Sequence, residues 1–305
     1  MSTALAIALL VAGIVLVVGG AELFFEAIVA GASRLGVSAF ALTALVSGFE
    51  LENLAAGIAA DANGLPGAAA GTFLGGTTFL ALGVAGIGGL LAPIRADLPH
   101  SVLGWLALSP LPLLALAADG ELSRLDGGLL LAWFAVAIAG IALGGRALLV
   151  AGAPHVGQRH WLVRMLAGLA VLTGGGAVLG DGLRRVVSDL GVSQTLLGNT
   201  AIAASVEAEE VGRVAVPAKR GRGDVAIANV AGTIVHFAAF NAGVIALVRP
   251  LPLDSASLHL HLPVAVGATL VLCTALLLGR GIGRRTGAAL VALYAAYVAA
   301  AIAIG

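Results

Sequence analysis

The chain has 305 residues and a formal net charge of zero; 60% of its residues are hydrophobic and only 10% are charged. Soluble globular domains carry about 25% charged residues, so this chain has too few charges to cover a surface that faces water. Zero net charge gives no basis for binding nucleic acid. The single cysteine, Cys273, excludes a disulfide or a cysteine-based metal site within one chain.

Long apolar runs predict an all-α integral membrane protein that is multi-pass and embedded in lipid. The runs are apolar throughout and do not alternate, which favours helices over a β-barrel. About 20 apolar residues cross the hydrocarbon layer as a helix. We predict ten spans near 4–33, 37–61, 67–92, 101–118, 127–151, 161–189, 193–217, 223–249, 261–279 and 286–304.

The basic residues predict the orientation of these spans, because inner loops carry an excess of Lys and Arg. If the N-terminus lies outside, most of the 16 Lys and Arg residues fall in inner loops. The clusters 219–222 and 280–285 contribute most to this asymmetry. We therefore expect a cell-membrane protein with both termini outside.

An internal repeat divides the chain into two related halves, predicted at 1–152 and 160–305. The segment Leu35-Gly36-Val37-Ser38 recurs as Leu190-Gly191-Val192-Ser193, and the acidic segment 50–53 recurs as 207–210. Each half holds five predicted spans, and an odd number places the second copy upside down relative to the first. Inverted five-helix repeats of this kind occur in many secondary transporters, with the substrate site near the middle of the membrane.

Carboxylates occur where the second and seventh spans should cross hydrocarbon. A charged side chain at the centre of a membrane helix costs at least about 2.5–3.5 kcal/mol, so these groups must face one another, a cation, protons or water. Glu50 and Asn53 share a helix face, as do Glu207 and Glu210, because residues three apart are neighbours on a helix. Carboxylate and amide oxygens suit hard cations such as Ca²⁺, Mn²⁺ or Na⁺. The alternative is a structural polar network that locks the two halves together.

Further polar residues surround this predicted cation site. Glu52 and Glu209 are candidate outer ligands or proton carriers, and Thr77 and Thr233 are candidate ligands unless their hydroxyls bond to backbone carbonyls. Arg213 follows Glu209 by four residues and Glu210 by three, so either carboxylate is within its reach along the helix. We expect Arg213 to neutralise Glu209; a bond to Glu210 would instead remove one cation ligand. His236 is either a proton relay or a buried histidine with satisfied hydrogen bonds.

These motifs resemble those of the cation/calcium antiporter superfamily, specifically its small prokaryotic sodium/calcium exchangers, over nearly the full length. That family carries Gly-Thr-Ser-x-Pro-Glu in a broken second helix of each repeat, and Gly-Asn-x-x-Gly-Ser-Asn in the third. The segments that correspond to the second-helix motif are 48–53 and 205–210, and those that correspond to the third-helix motif are 71–77 and 228–234. The glutamate that ends the second-helix motif is kept in the second copy as Glu210, whereas the first copy has Asn53 in its place. Both copies carry Glu where the family has Ser and Pro. The resemblance implies ten helices, both termini outside, and a central Ca²⁺ held by the motif glutamates.

The expected function is secondary active antiport of a divalent cation, Ca²⁺ first and Mn²⁺ second, in exchange for Na⁺ or H⁺. The second hypothesis is a membrane protein that binds or senses a cation on the same scaffold without transporting it. We expect no enzymatic activity, because no zinc-protease or serine-hydrolase motif is present. The expected partners are membrane lipid and inorganic cations, with no tightly bound cofactor; the sequence sets no oligomeric state.

Overall fold

The computed structural model describes residues 3–148, 158–189 and 208–304. Within these ranges, eight helices are long and apolar enough to cross a membrane, which confirms the prediction of an all-α membrane protein. The eight candidate spans are Leu5–Leu35, Pro66–Leu91, His100–Asp119, Arg124–Leu148, Trp161–Gly182, Gly223–Val248, Ser257–Gly279 and Arg284–Ala303.

The described part of the first half contains eight α-helices and two short strands. In chain order these are α1 (Thr3–Leu35), α2 (Ala39–Val46), α3 (Leu51–Ala62), α4 (Pro66–Thr78), α5 (Ala85–Leu91), β1 (Ile94–Arg95), α6 (His100–Leu108), α7 (Leu111–Leu116), β2 (Glu121–Leu122) and α8 (Arg124–Gly144). The described part of the second half contains α9 (Trp161–Asp189), α10 (208–219), α11 (Gly223–Val235), α12 (Ala242–Val248), β3 (Leu251–Pro252), α13 (Leu262–Gly279), β4 (Gly281–Ile282) and α14 (Arg284–Ile304).

The second predicted span is a broken helix. Instead of one helix over 37–61, α2 ends at Val46 and α3 begins at Leu51, with residues 47–50 between them. Gly48 in this break lies directly against His236, and a Cβ at that position would collide with the imidazole ring. The break therefore places backbone groups and Glu50 deep in the bundle. Of the predicted seventh span, 193–207 lies outside the described residues, and the rest belongs to α10.

Two central helices each contain one π-helical turn in the middle. Residues Phe79–Val84 join α4 to α5, and His236–Asn241 join α11 to α12. Both turns are almost entirely buried, and they occupy the same place in the two sequence repeats. Single π turns inside α-helices occur frequently at functional sites. These two helices pack against the broken helix and form the centre of the bundle.

The long helices α1 and α9 run antiparallel along each other with very close backbone contact. A Cβ on Gly20 would lie 2.6 Å from the backbone nitrogen of Leu172, and one on Gly168 would lie 2.6 Å from that of Phe24. Only glycine permits this approach, as is usual for tightly packed membrane helices. The two helices contribute most of a hydrophobic cluster that is separate from the main core.

Two antiparallel ribbons join the halves of the chain. In one, Ile94 of β1 pairs with Ile282 of β4; in the other, Leu122 of β2 pairs with Leu251 of β3. Each ribbon thus contains one strand from each half. The ribbons satisfy backbone hydrogen-bonding groups where the chain turns between helices.

A candidate cation site at the break between α2 and α3

Glu50 lies at the N-terminus of α3, directly after the break. Its backbone is outside the helical region (φ −91°, ψ 84°), so the chain turns here before α3 begins. The side chain is buried, and Asn53 in the first turn of α3 donates a hydrogen bond of 2.6 Å from Nδ2 to Glu50 Oε2. The positive end of the α3 dipole favours a negative charge at this position. The predicted shared face of Glu50 and Asn53 is therefore present.

Arg213 on α10 lies between three buried carboxylates. Its guanidinium pairs with Glu209 and with Glu210, the latter at 2.6 Å, and its Nη1 is 3.8 Å from Glu50 Oε1. Arg213 pairs with Glu209, as expected from the sequence, but the helix geometry lets it reach Glu210 at the same time. The side chain of Arg213 is only 3% exposed, so these pairs lie in the interior and not at the surface.

Hydrogen bonds extend this network to other helices. Asn229 of α11 donates from Nδ2 to Glu210 Oε2 at 2.6 Å, and Thr173 of α9 donates to Glu209 Oε2 at 3.0 Å. Arg213 also donates to the backbone carbonyl of Ser47 at the end of α2, at 2.9 Å. The guanidinium therefore connects α10 in the second half with the broken helix in the first. A cation is favourable at this point because the C-terminal end of a helix is electronegative.

The other predicted site residues differ in their surroundings. Thr233 is buried and donates to the backbone carbonyl of Asn229, as the alternative interpretation of this hydroxyl expected. Glu52 is exposed. Thr77 is 1% exposed. Glu207 lies outside the described residues.

Three of the predicted or observed polar residues on α4, α11 and the start of α3 each have a buried oxygen with no hydrogen-bond partner among the described residues: Glu50 Oε1, Thr77 Oγ1 and Asn229 Oδ1. Leaving a buried polar atom unpaired costs about 1–3 kcal/mol, so such atoms need an explanation. All three are hard oxygen atoms of the kind that bind Na⁺ and Ca²⁺. They could act as cation ligands without first breaking a hydrogen bond.

The buried carboxylates are arranged around Arg213 and not around a common point. Within the described residues, no group of three or more His, Cys, Asp or Glu side chains is placed to hold a metal ion. Both oxygens of Glu209 and of Glu210 accept hydrogen bonds, one from the Arg213 guanidinium and the other from Thr173 or Asn229. Binding of a cation by Glu209 or Glu210 therefore requires that one of these hydrogen bonds is exchanged for a bond to the ion.

His236 lies in an apolar cage beside the break. Its Nδ1 is 2.8 Å from the carbonyl of Gly232, and its ring contacts Phe49 and Phe134 with centroids 4.7 Å apart in each case. Nε2 has no hydrogen-bond partner within the described part of the chain. The aromatic rings separate His236 from bulk solvent, and no described contact joins it to the carboxylates.

Sequence reasoning missed three contributors to the site: the hydroxyl of Thr173, the carbonyl of Ser47, and Phe24, whose ring centroid is 5.7 Å from the Arg213 guanidinium carbon. A threonine beside a glycine run was the only signal for Thr173. The other two depend on tertiary packing. Glu22 and Glu26, in contrast, are half-exposed and pair with Arg220 and Arg164 near the surface.

Comparison with known families decides which class of protein builds this site. The model of the family described as "Sodium/calcium exchanger protein" matches residues 5–143 and 160–303, which is nearly the whole chain in two segments. The chain belongs to the sodium/calcium exchanger family. This confirms the resemblance stated from the motifs, and it makes the protein a membrane transporter and not an enzyme.

Solved structures of the sodium-calcium exchanger NCX_Mj have the same fold. The form soaked with zero Na⁺ and Ca²⁺ matches with a TM-score of 0.82 at 24% identity, covering 97% of this chain and 98% of that one. The form soaked with 2.5 mM Na⁺ and 0.1 mM Sr²⁺ matches with a TM-score of 0.81 at 24% identity, covering 98% and 99%. No curated protein sequence gives a significant match.

Proposed function

We propose that this exchanger-family protein is a secondary active cation antiporter that exchanges a divalent cation, Ca²⁺ first and Mn²⁺ second, for Na⁺ or H⁺. The observation that carries the proposal is the buried network of Glu50, Glu209, Glu210 and Asn229 beside the helix break. Intramembrane carboxylates are expensive and mark ion pathways. The structurally similar NCX_Mj is a sodium-calcium exchanger, and its crystals were soaked with Na⁺, Ca²⁺ and Sr²⁺.

The proposed divalent ligands are Glu50, Asn53, Glu207 and Glu210, with Glu52, Glu209, Thr77 and Thr233 around them. The unpaired buried oxygens of Glu50 and Thr77 support this assignment, and the equivalent oxygen of Asn229 adds a ligand that lies against Glu210. Asn53 holds Glu50 in place, so its role is as much positioning as ligation.

The proposed architecture has ten spans in two inverted repeats, 1–152 and 160–305, in the cell membrane with both termini outside. The two ribbons support it, because each pairs a strand of one half with a strand of the other. The two π turns at equivalent repeat positions support it as well. In this arrangement the broken second helix and its counterpart in the second half meet at the middle of the membrane.

The proposed motion is a sliding of α1 and α9 together across the rest of the bundle. The close glycine contacts between these helices favour movement as one unit. Their separate hydrophobic cluster allows such movement without unpacking the main core. Thr173 of α9 contacts Glu209, so a shift of this pair would be felt directly by the site.

Flux measurements in proteoliposomes test the proposal. Purified protein is reconstituted with an internal dye that responds to Ca²⁺ and Mn²⁺, and a Na⁺ gradient or a pH gradient is imposed. Glu210→Gln removes the charge of a buried carboxylate, whereas Glu121→Gln removes an exposed one in β2 and serves as the matched control. We expect the wild type and Glu121→Gln to take up the divalent ion and Glu210→Gln to lose most of the uptake.

Each outcome separates the alternatives. Uptake with the Na⁺ gradient identifies Na⁺ as the counter-ion, and uptake with only the pH gradient identifies H⁺. Equal uptake by Glu210→Gln and wild type would place the ion pathway elsewhere. Thermal stabilisation by Ca²⁺ without any flux would favour the second hypothesis, that the protein binds or senses a cation without transporting it.

A further inference from the structure

Arg213 is the positively charged member of a buried cluster that otherwise carries only negative charge. Its two terminal nitrogens contact Glu209, Glu210 and, at 3.8 Å, Glu50, and both the guanidinium and the carboxylates are nearly inaccessible to solvent. A buried guanidinium is stable only with such paired charges and hydrogen bonds. Here the pairing groups are the same side chains that the proposed function assigns to ion binding.

The charges of this cluster can be added. Among the described residues, the carboxylates that contact Arg213 are Glu50, Glu209 and Glu210; their three negative charges and the one positive charge of Arg213 leave this cluster with a net charge of minus two. Arginine stays protonated at all physiological pH values. One divalent cation or two monovalent cations would therefore neutralise the cluster. Without Arg213, neutralisation by monovalent ions would require three.

Arg213 also bonds to both sides of the site. On its own helix it holds Glu209 and Glu210, and across the bundle it donates to the carbonyl of Ser47 at the helix break. These bonds hold the guanidinium in the site as they would hold a bound cation. Unlike a bound cation, the guanidinium is covalently attached to the protein through the Arg213 side chain. A side chain cannot leave with the transported ions.

We propose that Arg213 is a resident cation of the transport site, which takes the place of one monovalent ion and makes the exchange electroneutral. This inference rests on the proposed function and adds its stoichiometry: one divalent cation moves against two Na⁺ or two H⁺. Replacing Arg213 with a neutral residue leaves room and charge for a third monovalent ion. The exchange then becomes electrogenic, with one net positive charge moving opposite to the divalent ion.

The test is the effect of membrane potential on divalent flux in proteoliposomes, with the potential set by a K⁺ gradient and valinomycin. We expect wild-type flux and final accumulation to be unchanged at either polarity. In Arg213→Gln, an inside-positive potential should increase Ca²⁺ accumulation, because a potential of about 100 mV acting on one charge shifts the equilibrium gradient about 50-fold. Arg213→Lys keeps the charge and should behave like the wild type.

Arg249→Gln is the matched control, because Arg249 also donates to a backbone carbonyl, that of Asp61, but has no carboxylate partner within the described residues. It should leave the flux insensitive to potential. The inference would be wrong, although antiport would stand, if the Ca²⁺ gradient reached by the wild type shifted with membrane potential as expected for the movement of one net charge. An Arg213→Gln protein that transports without any response to potential would also overturn it.

A second measurement decides the matter if Arg213→Gln transports poorly. The melting temperature of the purified protein is followed against Na⁺ concentration, since an ion that binds the folded state stabilises it. The resident-cation role predicts a larger and steeper Na⁺-dependent increase for Arg213→Gln than for wild type and Arg249→Gln. A purely structural ion pair predicts a lower melting temperature that Na⁺ does not restore. Absence of flux in every protein would refute the proposed function, and the melting curves would still test the resident cation.

Discussion

Replacing Asn229 with leucine should weaken ion binding and destabilise the fold at the same time. Asn229 is fully buried, donates to Glu210 at 2.6 Å and keeps Oδ1 unpaired among the described residues. A hydrogen bond to a charged group contributes about 1.5–3 kcal/mol, so Glu210 loses that much stabilisation in the variant. If the same bond also orients Glu210 for the ion, the half-saturating divalent concentration rises about 10- to 150-fold.

Asn241 provides a matched control in the same span. It is also buried, twelve residues further along, but its Nδ2 has no partner within the described residues. Asn241→Leu should therefore be neutral or slightly stabilising and should leave ion affinity unchanged. Thermal unfolding in detergent and flux against divalent concentration measure the two effects. Wild-type ion affinity in Asn229→Leu would refute the assignment of Asn229 and Glu210 to the site.

Three further predictions concern other parts of the structure. Thr77→Val should raise the free energy of unfolding by about 1 kcal/mol, because the buried hydroxyl has no hydrogen-bond partner in the described structure. The same change should weaken ion binding. A lower free energy of unfolding would refute the stability prediction. Gly20→Leu should destabilise by at least about 1–3 kcal/mol, measured by thermal unfolding, because the added side chain meets the backbone of Leu172. Hydrogen bonds from Ser257 hold the pKa of Asp254 below its ordinary value of 3.8. The stability that these bonds contribute is present above that value and is lost as pH falls through the lowered pKa, so the melting temperatures of wild type and Asp254→Asn should converge in acid.

The sequence predicted the membrane helices well because each is a continuous apolar run, and such runs need no tertiary information. It was less accurate where irregular backbone joins a span. The ninth span begins at Ser257 and not at 261, because a π-helical segment over Ser257–His261 precedes α13. His261 in this segment contacts the Tyr297 hydroxyl at 2.8 Å, and hydropathy alone gives no indication of such a contact.

The candidate site was predictable to the extent that its residues lie close together along the chain. Glu50 and Asn53 are three residues apart, and Arg213 follows Glu209 and Glu210 within about one helical turn, so helical spacing alone brings each set together. The expected pair of Arg213 with Glu209 is present, but treating Glu210 as an alternative was wrong, because both carboxylates lie within reach of one guanidinium. Contacts to Ser47 and Thr173 depend on how separate helices pack, and the sequence of one helix does not contain that information.

The net charge of the cluster bears on why exchange should be obligatory. An antiporter must not change between its inward-open and outward-open states when its site is empty. Uncompensated charge in a buried site opposes this change, because the charge would have to cross the membrane interior without a bound ion. Each uncompensated charge at the centre of the membrane costs at least about 2.5–3.5 kcal/mol, so a net charge of minus two makes an unloaded passage about 10⁴-fold rarer. With Arg213 in place, one divalent or two monovalent ions remove this barrier. The guanidinium thus reduces the net negative charge of the three carboxylates. The negative charge that remains is still enough to couple the movement of the divalent ion to that of the monovalent ions.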